Sequence, residues 1–309
     1  MTAPTRGRTR IEEPRSRAAS APPRFTALRR FTRGYLRRPS GIVGLVMLLA
    51  FAVAALVAPS FIHPHDLDVT RASGALMAPP TGSAPLGTDE NGRSVLLLVI
   101  WGARASLFIG VVATLMTVFI GGTIGLVAGH YQGRVGALLM HVTDWFIVLP
   151  SLPLAIALSV VLGQGASSII IAIAITSWTG TARLVRAQTL AVGARPFIER
   201  GRALGASDPQ IMVRHVLPSV LPLILVSSIL TIGSAILAEA TLTFLGLGDP
   251  TTVSWGSMLN SAFAQGAVTV GAWWYLLTPG IAILLVVMGF TLTGRAIEHV
   301  LNPRMVDRA

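Results

Sequence analysis

Six long stretches of this chain carry almost no charge, and arginine-bearing segments separate most of them. That arrangement narrows the possible folds sharply. About 20 apolar residues in a helix are enough to cross the hydrocarbon of a bilayer. Gly41 to Ile62 has no charged residue and forms span 1. Span 2 runs from Val95 to Ala128, long enough to tilt or to begin outside the hydrocarbon. Span 3 runs from Asp144 to Leu162 and holds Pro150 and Pro153, which free backbone carbonyls and predict a kink. Span 4, Ser167 to Leu184, is the weakest, with Thr176, Ser177, Thr179 and Thr181 inside it. Span 5 is Pro218 to Ala238 and span 6 is Trp273 to Phe290. The predicted fold class is an all-α integral membrane protein with six transmembrane helices.

Composition agrees with this reading. The chain is 52% hydrophobic, and its mean hydropathy of +0.69 is too high for an ordinary soluble domain. All 24 basic residues are arginine, and the net charge is +11. Beside apolar spans, that charge points to anionic membrane lipids as partners rather than to nucleic acid. Cysteine is absent, which removes disulfides, thiolate metal sites and thiol nucleophiles.

Arginine placement also sets the expected orientation. Residues 1–40 hold eleven arginines against Glu12 and Glu13, so the N-terminus is expected in the cytosol. Residues 1–23 are rich in Pro, Ala, Ser and Thr and read as a disordered basic cytosolic tail. Residues 24–40 read as an interfacial amphipathic helix, with Phe25, Leu28, Phe31 and Leu36 near helical spacing. This basic region is too long for a secretory signal. Residues 41–62 are span 1, and 63–94 form a polar extracytoplasmic loop. Residues 95–294 form the core with spans 2–6, and 295–309 form a basic cytosolic tail. Each short loop follows the same bias, which predicts both termini inside.

The most informative segment lies within the cytosolic stretch 185–217. It reads R-P-F-I-E-R-G-R-A-L-G-A-S-D-P-Q-I-M-V-R-H-V-L-P, from Arg195 to Pro218. Pro196 suits a first helical turn, and Gly205 suits a left-handed C-terminus. Asp208 followed by Pro209 reads as the N-cap and first turn of a second helix, through about Val216. Glu199, Arg200 and Arg202 are left for polar contacts. Two readings stand at this point: two helices resting on lipid, or a helix inserted into a partner's groove.

Inside the spans, Arg104 and Glu239 are isolated charges. They are read as an interhelical pair or interfacial anchors, or else as substrate or gate contacts. Asp144 is placed to cap span 3. Trp101, Trp145, Trp255, Trp273 and Trp274 read as interface anchors. Gly110, Gly121, Gly122, Gly125 and Gly129 permit close helix packing, and also sliding during gating. The histidines are scattered, with no H-E-x-x-H pattern, and no metal is expected. There is no G-x-S-x-G and no P-loop, and without lysine the chain cannot bind phosphate as a P-loop ATPase does.

Several motifs in order then carry a resemblance. L-R-R-F-T-R-G-Y-L-R-R-P-S-G-I-V-G-L opens the match. P-L-G-T-D-E-N-G-R-S-V-L-L-L-V-I-W-G-A-R-A-S-L follows at residues 85–107. E-A-T-L-T-F-L-G-L-G at 239–248, S-W-G-S-M-L at 254–259, W-W-Y-L-L-T-P-G at 273–280 and L-N-P-R at 301–304 complete it. Over about residues 28–304 the chain resembles the second inner-membrane permease of the dipeptide, oligopeptide and nickel branch of bacterial ABC importers. It departs from that pattern at Ser94, Leu97 and Leu98, where the family usually has aspartate and a serine-arginine pair.

The Arg195–Pro218 stretch resembles the family's cytosolic signature. Glu199 holds the glutamate position, Arg200 and Gly201 replace two alanines, and Gly205, Leu217 and Pro218 are retained. The resemblance implies an ABC importer type I permease fold and coupling to the ATPases through Glu199, Arg200, Gly201, Arg202, Ala203, Leu204, Gly205, Ala206 and Asp208. It further implies a homologous second permease, two ATPase subunits that use ATP and Mg, an extracytoplasmic substrate-binding protein, and a bacterial inner-membrane location. This chain itself is expected to bind no cofactor and to catalyse nothing. The expected cargo is a short peptide carried by alternating access; a nickel chelate or another small solute is the alternative. An integral membrane protease or lipid transferase is the competing class, but no nucleophile constellation supports it.

Overall fold

The computed structural model describes residues 31–72 and 74–301. The expected tail over 1–23, residues 24–30 and residues 302–309 lie outside the described residues. Residues 31–36 are helical and end in a turn at Arg37. Tyr35 is buried, and its hydroxyl donates to the carbonyl of Gly41 at 2.7 Å. Helix α1, Pro39–Phe61, follows, with the proline in its first turn where no N–H is needed.

The described elements after it are all helical. Helices α2, Val95–His130, and α3, Arg134–Val148, are followed by α4, Ser151–Leu162, and α5, Ala166–Gly193. A short α6 spans Pro196–Ala203. Helix α7, Asp208–Phe244, is 37 residues long. Helices α8, Trp255–Ala264, and α9, Trp273–Leu301, complete the chain. Five of these (α1, α2, α5, α7 and α9) are long and apolar enough to cross a membrane.

The sixth span takes a different form from the kinked helix expected over 144–162. Helices α3 and α4 meet at 92°. Leu149 and Pro150 both have extended backbone, with ψ of 128° and 119°. The ring of Pro150 disfavours the helical region for Leu149, so the chain turns there. Pro153 falls in the first turn of α4, where its missing N–H costs no hydrogen bond. Only Pro150 breaks the path. Asp144 does not cap a helix start: it lies inside α3, and its carboxylate accepts from the Arg183 guanidinium at 2.6 Å.

Two other boundaries move. The second loop helix and span 5 are continuous in α7, joined by a π turn over Met212–Val216. Leu217 donates its N–H to the carbonyl of Met212, five residues back. This wide turn precedes Pro218, which has no N–H to donate. Helix α5 continues past Leu184 to Gly193 and carries Arg186 beyond the expected end of span 4.

The packing rests on missing side chains. Helices α2 and α5 form the most extensive helix pair. A Cβ on Gly121 would lie 2.5 Å from the Trp178 carbonyl oxygen. One on Gly125 would strike the Ala182 carbonyl, and one on Gly129 would meet the Thr189 Cβ at 2.6 Å. Spaced by four, the three glycines form one face that brings the backbones together. Gly44 does the same for α1 and α9, where a Cβ would sit 2.8 Å from the Gly289 carbonyl.

Three apolar clusters follow along the bundle. One gathers Val95, Leu98, Trp255, Tyr275 and Val286 near the end of the bundle that carries α8. A middle cluster joins Ile109, Ile169, Ile173 and Leu242. The last joins Leu126, Val185, Val192, Ile198, Ile211, Val216 and Val220.

Candidate functional site: the α6 segment between two membrane helices

Helix α6 is fastened on one side and open on the other. Ile198 is its one buried side chain, and it sits in the cluster formed by α2, α5 and α7. Arg195 precedes the helix in extended conformation, and Pro196 occupies the first helical position. The C-terminus is closed by a paired motif. Gly205, at φ +83°, donates its N–H to Arg202 at 2.9 Å, and Ala206 donates to Gly201 at 3.1 Å. That pair satisfies two carbonyls of the last turn and needs a left-handed residue at 205.

The other side of α6 faces outward. Glu199, Arg200, Arg202 and Ala203 are exposed, and Leu204 is 88% exposed. Among the described residues, Glu199, Arg200 and Arg202 make no ion pair. Glu199 near the start and Arg202 near the end both match the sense of the helix dipole. The surface therefore offers a bare leucine beside charges that have no ion-pair partner among the described residues.

Gly201 is half-buried, yet a Cβ there would meet nothing within 4 Å. An alanine would fit at 201, so crowding does not explain the glycine. Arg200 points its bulk away from the bundle and disturbs no packing.

Asp208 has a different task from the expected one. Ser207 is the N-cap, and its side chain makes no capping bond. The Asp208 carboxylate instead meets His130 Nε2 at 3.2 Å. The His130 side chain is almost buried, at 4% exposure, so this contact ties the end of α2 to the start of α7. Phe197 sets its ring edge to His215, with centroids 6.3 Å apart. Together Ile198, His130–Asp208 and Phe197–His215 connect α6 and its flanks to membrane helices.

Arg104 and Glu239 are not brought together. The Arg104 guanidinium lies over the Trp101 ring, 4.5 Å from its centroid, and is exposed. Glu239 is fully buried in α7. One of its oxygens accepts from Thr243 at 3.2 Å, and the other has no hydrogen-bonding partner among the described residues. The Ser106 and Ser254 hydroxyls lie beside it, so the carboxylate sits where α2, α7 and the start of α8 converge.

Two features of the opposite end escape a reading by composition. Asp89, within the expected loop 63–94, is fully buried and accepts from Arg93 Nε at 2.7 Å and from the amides of Asn91 and Arg93. D-E-N-G is a turn signal, but nothing in it shows burial. Helix α8 lies between the expected spans 5 and 6, opened by a Ser254–Ser257 capping box. Trp255 at its start is fully buried, with its indole N–H on the Val99 carbonyl at 3.0 Å. Trp274 is also buried, so these two are core residues rather than interface anchors. In the same segment, Thr251 donates its hydroxyl and amide to Asp249 at 2.6 and 2.8 Å and holds that carboxyl below its ordinary range.

Long apolar helices of membrane-crossing length, packed as a bundle, define an integral membrane protein, and α6 is a short helix held at its surface. A family model described as "Binding-protein-dependent transport system inner membrane component" matches residues 121–307. The chain belongs to that family, and it is a non-catalytic membrane permease subunit of an ABC importer. It is 36% identical over 265 residues to the Dipeptide transport system permease protein DppC of Bacillus subtilis (strain 168), covering 85% of this chain and 82% of that protein. It is 34% identical over 282 residues to the Glutathione transport system permease protein GsiD of Pectobacterium atrosepticum, covering 91% and 92%. A chain from an inward-facing structure of the MetNI methionine ABC transporter superposes with a TM-score of 0.54. It shares 19% identity and covers 67% of this chain and 96% of that one, a likeness of fold. The protein is accordingly a multi-pass protein of the bacterial inner membrane.

Proposed function

We propose that this chain forms half of a membrane path for short peptides and couples it to ATP hydrolysis through α6. A homologous permease supplies the other half. Two ATPase subunits lie beneath the pair and bind the ATP and Mg. An extracytoplasmic binding protein delivers the cargo. Both termini of the chain lie in the cytosol.

One observation carries the coupling role. Ile198 seats α6 in an apolar cluster with residues of α2, α5 and α7, while Glu199, Arg200 and Arg202 to Leu204 are exposed on its outer side. A push on the exposed face therefore reaches α2, α5 and α7 without loss in a flexible linker. Closure of the ATPases moves α6, and the helices fastened to it shift the access of the path from one side to the other. Glu199, Arg200, Gly201, Arg202, Ala203, Leu204, Gly205, Ala206 and Asp208 form or brace this contact.

The chain has no cysteine, so single cysteines report cleanly. Cysteine at Arg200 or Arg202 should crosslink to an ATPase subunit in the assembled complex, with a yield that changes with nucleotide. Crosslinks only to the paired permease or to lipid would overturn the coupling role. Peptide cargo is supported by relatives named for dipeptide and glutathione transport. The complex reconstituted with its binding protein should take up labelled dipeptide only with ATP. ATP-driven uptake of a nickel chelate without peptide uptake would replace that cargo.

A further inference from the structure

At the end of the bundle that carries α8, an open cavity of about 710 Å³ runs between α1 and α2. Ala52, Ala55 and Leu56 line it from α1, and Trp101, Ala105 and Phe108 from α2. Its walls are almost wholly apolar. Leu56 and Phe108 are 79% and 61% exposed, so the groove opens outward from the chain. Its one charged lining residue is Arg104.

A second cavity of about 500 Å³ adjoins it and shares Trp101, Thr252 and Val253 as lining. This one is more polar than apolar, with Thr251, Ser257, Ser261 and Arg93 around it. Arg93 is already paired with Asp89. Arg104 makes no ion pair among the described residues, and its guanidinium lies over the Trp101 ring.

Depth places the two cavities in a bilayer. Helix α2 has 36 residues, so it is about 54 Å long against about 30 Å of hydrocarbon and overhangs by about 12 Å at each end when centred. Arg104 lies nine residues from Val95, about 14 Å along the axis, and so falls at the edge of the hydrocarbon. The apolar groove then continues toward the membrane interior, and the polar chamber stands at headgroup level.

We propose that this composite site holds one phospholipid, with an acyl chain in the α1–α2 groove and its phosphate on Arg104. An apolar trough joined to a polar chamber matches an amphiphile. A peptide helix would leave the chamber unfilled. The unpaired guanidinium selects an anionic group, and a phosphate accepts its forked N–H donors in two parallel bonds. The Trp101 ring lies against the guanidinium, and both line the groove. The site is separate from α6 and makes no use of the transported cargo.

The test is retention of lipid by the assembled complex. The complex is placed in nanodiscs of phosphatidylethanolamine and phosphatidylglycerol, extracted in mild detergent, and weighed by native mass spectrometry. Wild type should retain phospholipid at limiting lipid. Arg104→Gln should lower retention roughly tenfold, the loss of a charge-assisted bond. Arg104→Lys should keep most of it. Ala52→Phe fills the groove without touching the charge and should lower retention to a similar extent. It decides the matter if the Arg104 variants fail to assemble. Equal retention by wild type, Arg104→Gln and Ala52→Phe would overturn the site. So would efficient crosslinking of Leu56→Cys to the paired permease, because the groove would then be filled by protein.

Discussion

Gly205 is the residue on which the shape of the proposed coupling element turns. Its φ of +83° is open to glycine and strained for other residues, and a Cβ there would meet nothing within 4 Å. Space is therefore not the constraint; backbone conformation is. A β-branched residue at this position carries a strain of about 1–3 kcal/mol. Gly205→Val should leave membrane insertion and complex assembly intact and lower ATP-driven uptake, measured in proteoliposomes. Gly193→Ala, at the end of α5, is the control, since that position is helical and has open space, and its uptake should match wild type. Uptake by Gly205→Val equal to that of Gly193→Ala would remove the turn from the coupling argument. The need for glycine at 205 was legible from its place after a helix. The contact of Asp208 with His130 was not, because the partners are far apart in sequence and D-P looks the same whether it caps a helix or not.

At the scale of elements, the glycine face of α2 decides how close the bundle packs. Gly121, Gly125 and Gly129 meet α5, whereas Gly122 points elsewhere and has only the Ile224 side chain 3.9 Å from a would-be Cβ. Gly125→Ala should destabilise the complex by about 1–3 kcal/mol, the usual cost of overpacking. Gly122→Ala on the same helix should be neutral or slightly stabilising, since alanine is the better helix former by about 1 kcal/mol. Thermal unfolding of the two variants in one detergent makes the comparison, and equal midpoints would contradict the packing account. The glycines were visible in the sequence as a group. Which of them touch α5 depends on helix rotation, which an apolar helix in lipid does not reveal by its hydrophobic pattern alone. The break at Leu149–Pro150 has the same character: proline marks a weak point, and the surrounding helices set the turn at 92°.

At the scale of the whole molecule, the proposed topology makes a direct prediction. Thr81 lies in the segment before α2 and Ser207 in the segment before α7, and both are exposed. Thr81→Cys should react with a membrane-impermeant maleimide in intact cells freed of their outer barrier. Ser207→Cys should react only after the inner membrane is opened. The reverse pattern would invert the chain and place α6 on the wrong side for an ATPase. The sequence by itself determined that this is a membrane helix bundle, roughly where its spans lie, and which polar segment stands apart from them. Those features depend on local composition: apolar length against bilayer thickness, arginine placement, and the backbone needs of Pro196 and Gly205. Only the tertiary structure decided that Trp255, Trp274 and Asp89 are buried, that Arg104 and Glu239 stay apart, and that Ile198 joins an apolar cluster with residues of α2, α5 and α7. Each of those depends on which helix faces which across the bundle. Lipid is as apolar as the interior, so the hydrophobic pattern that separates inside from outside in a soluble protein is weak here, and contact between distant segments has to be seen in three dimensions.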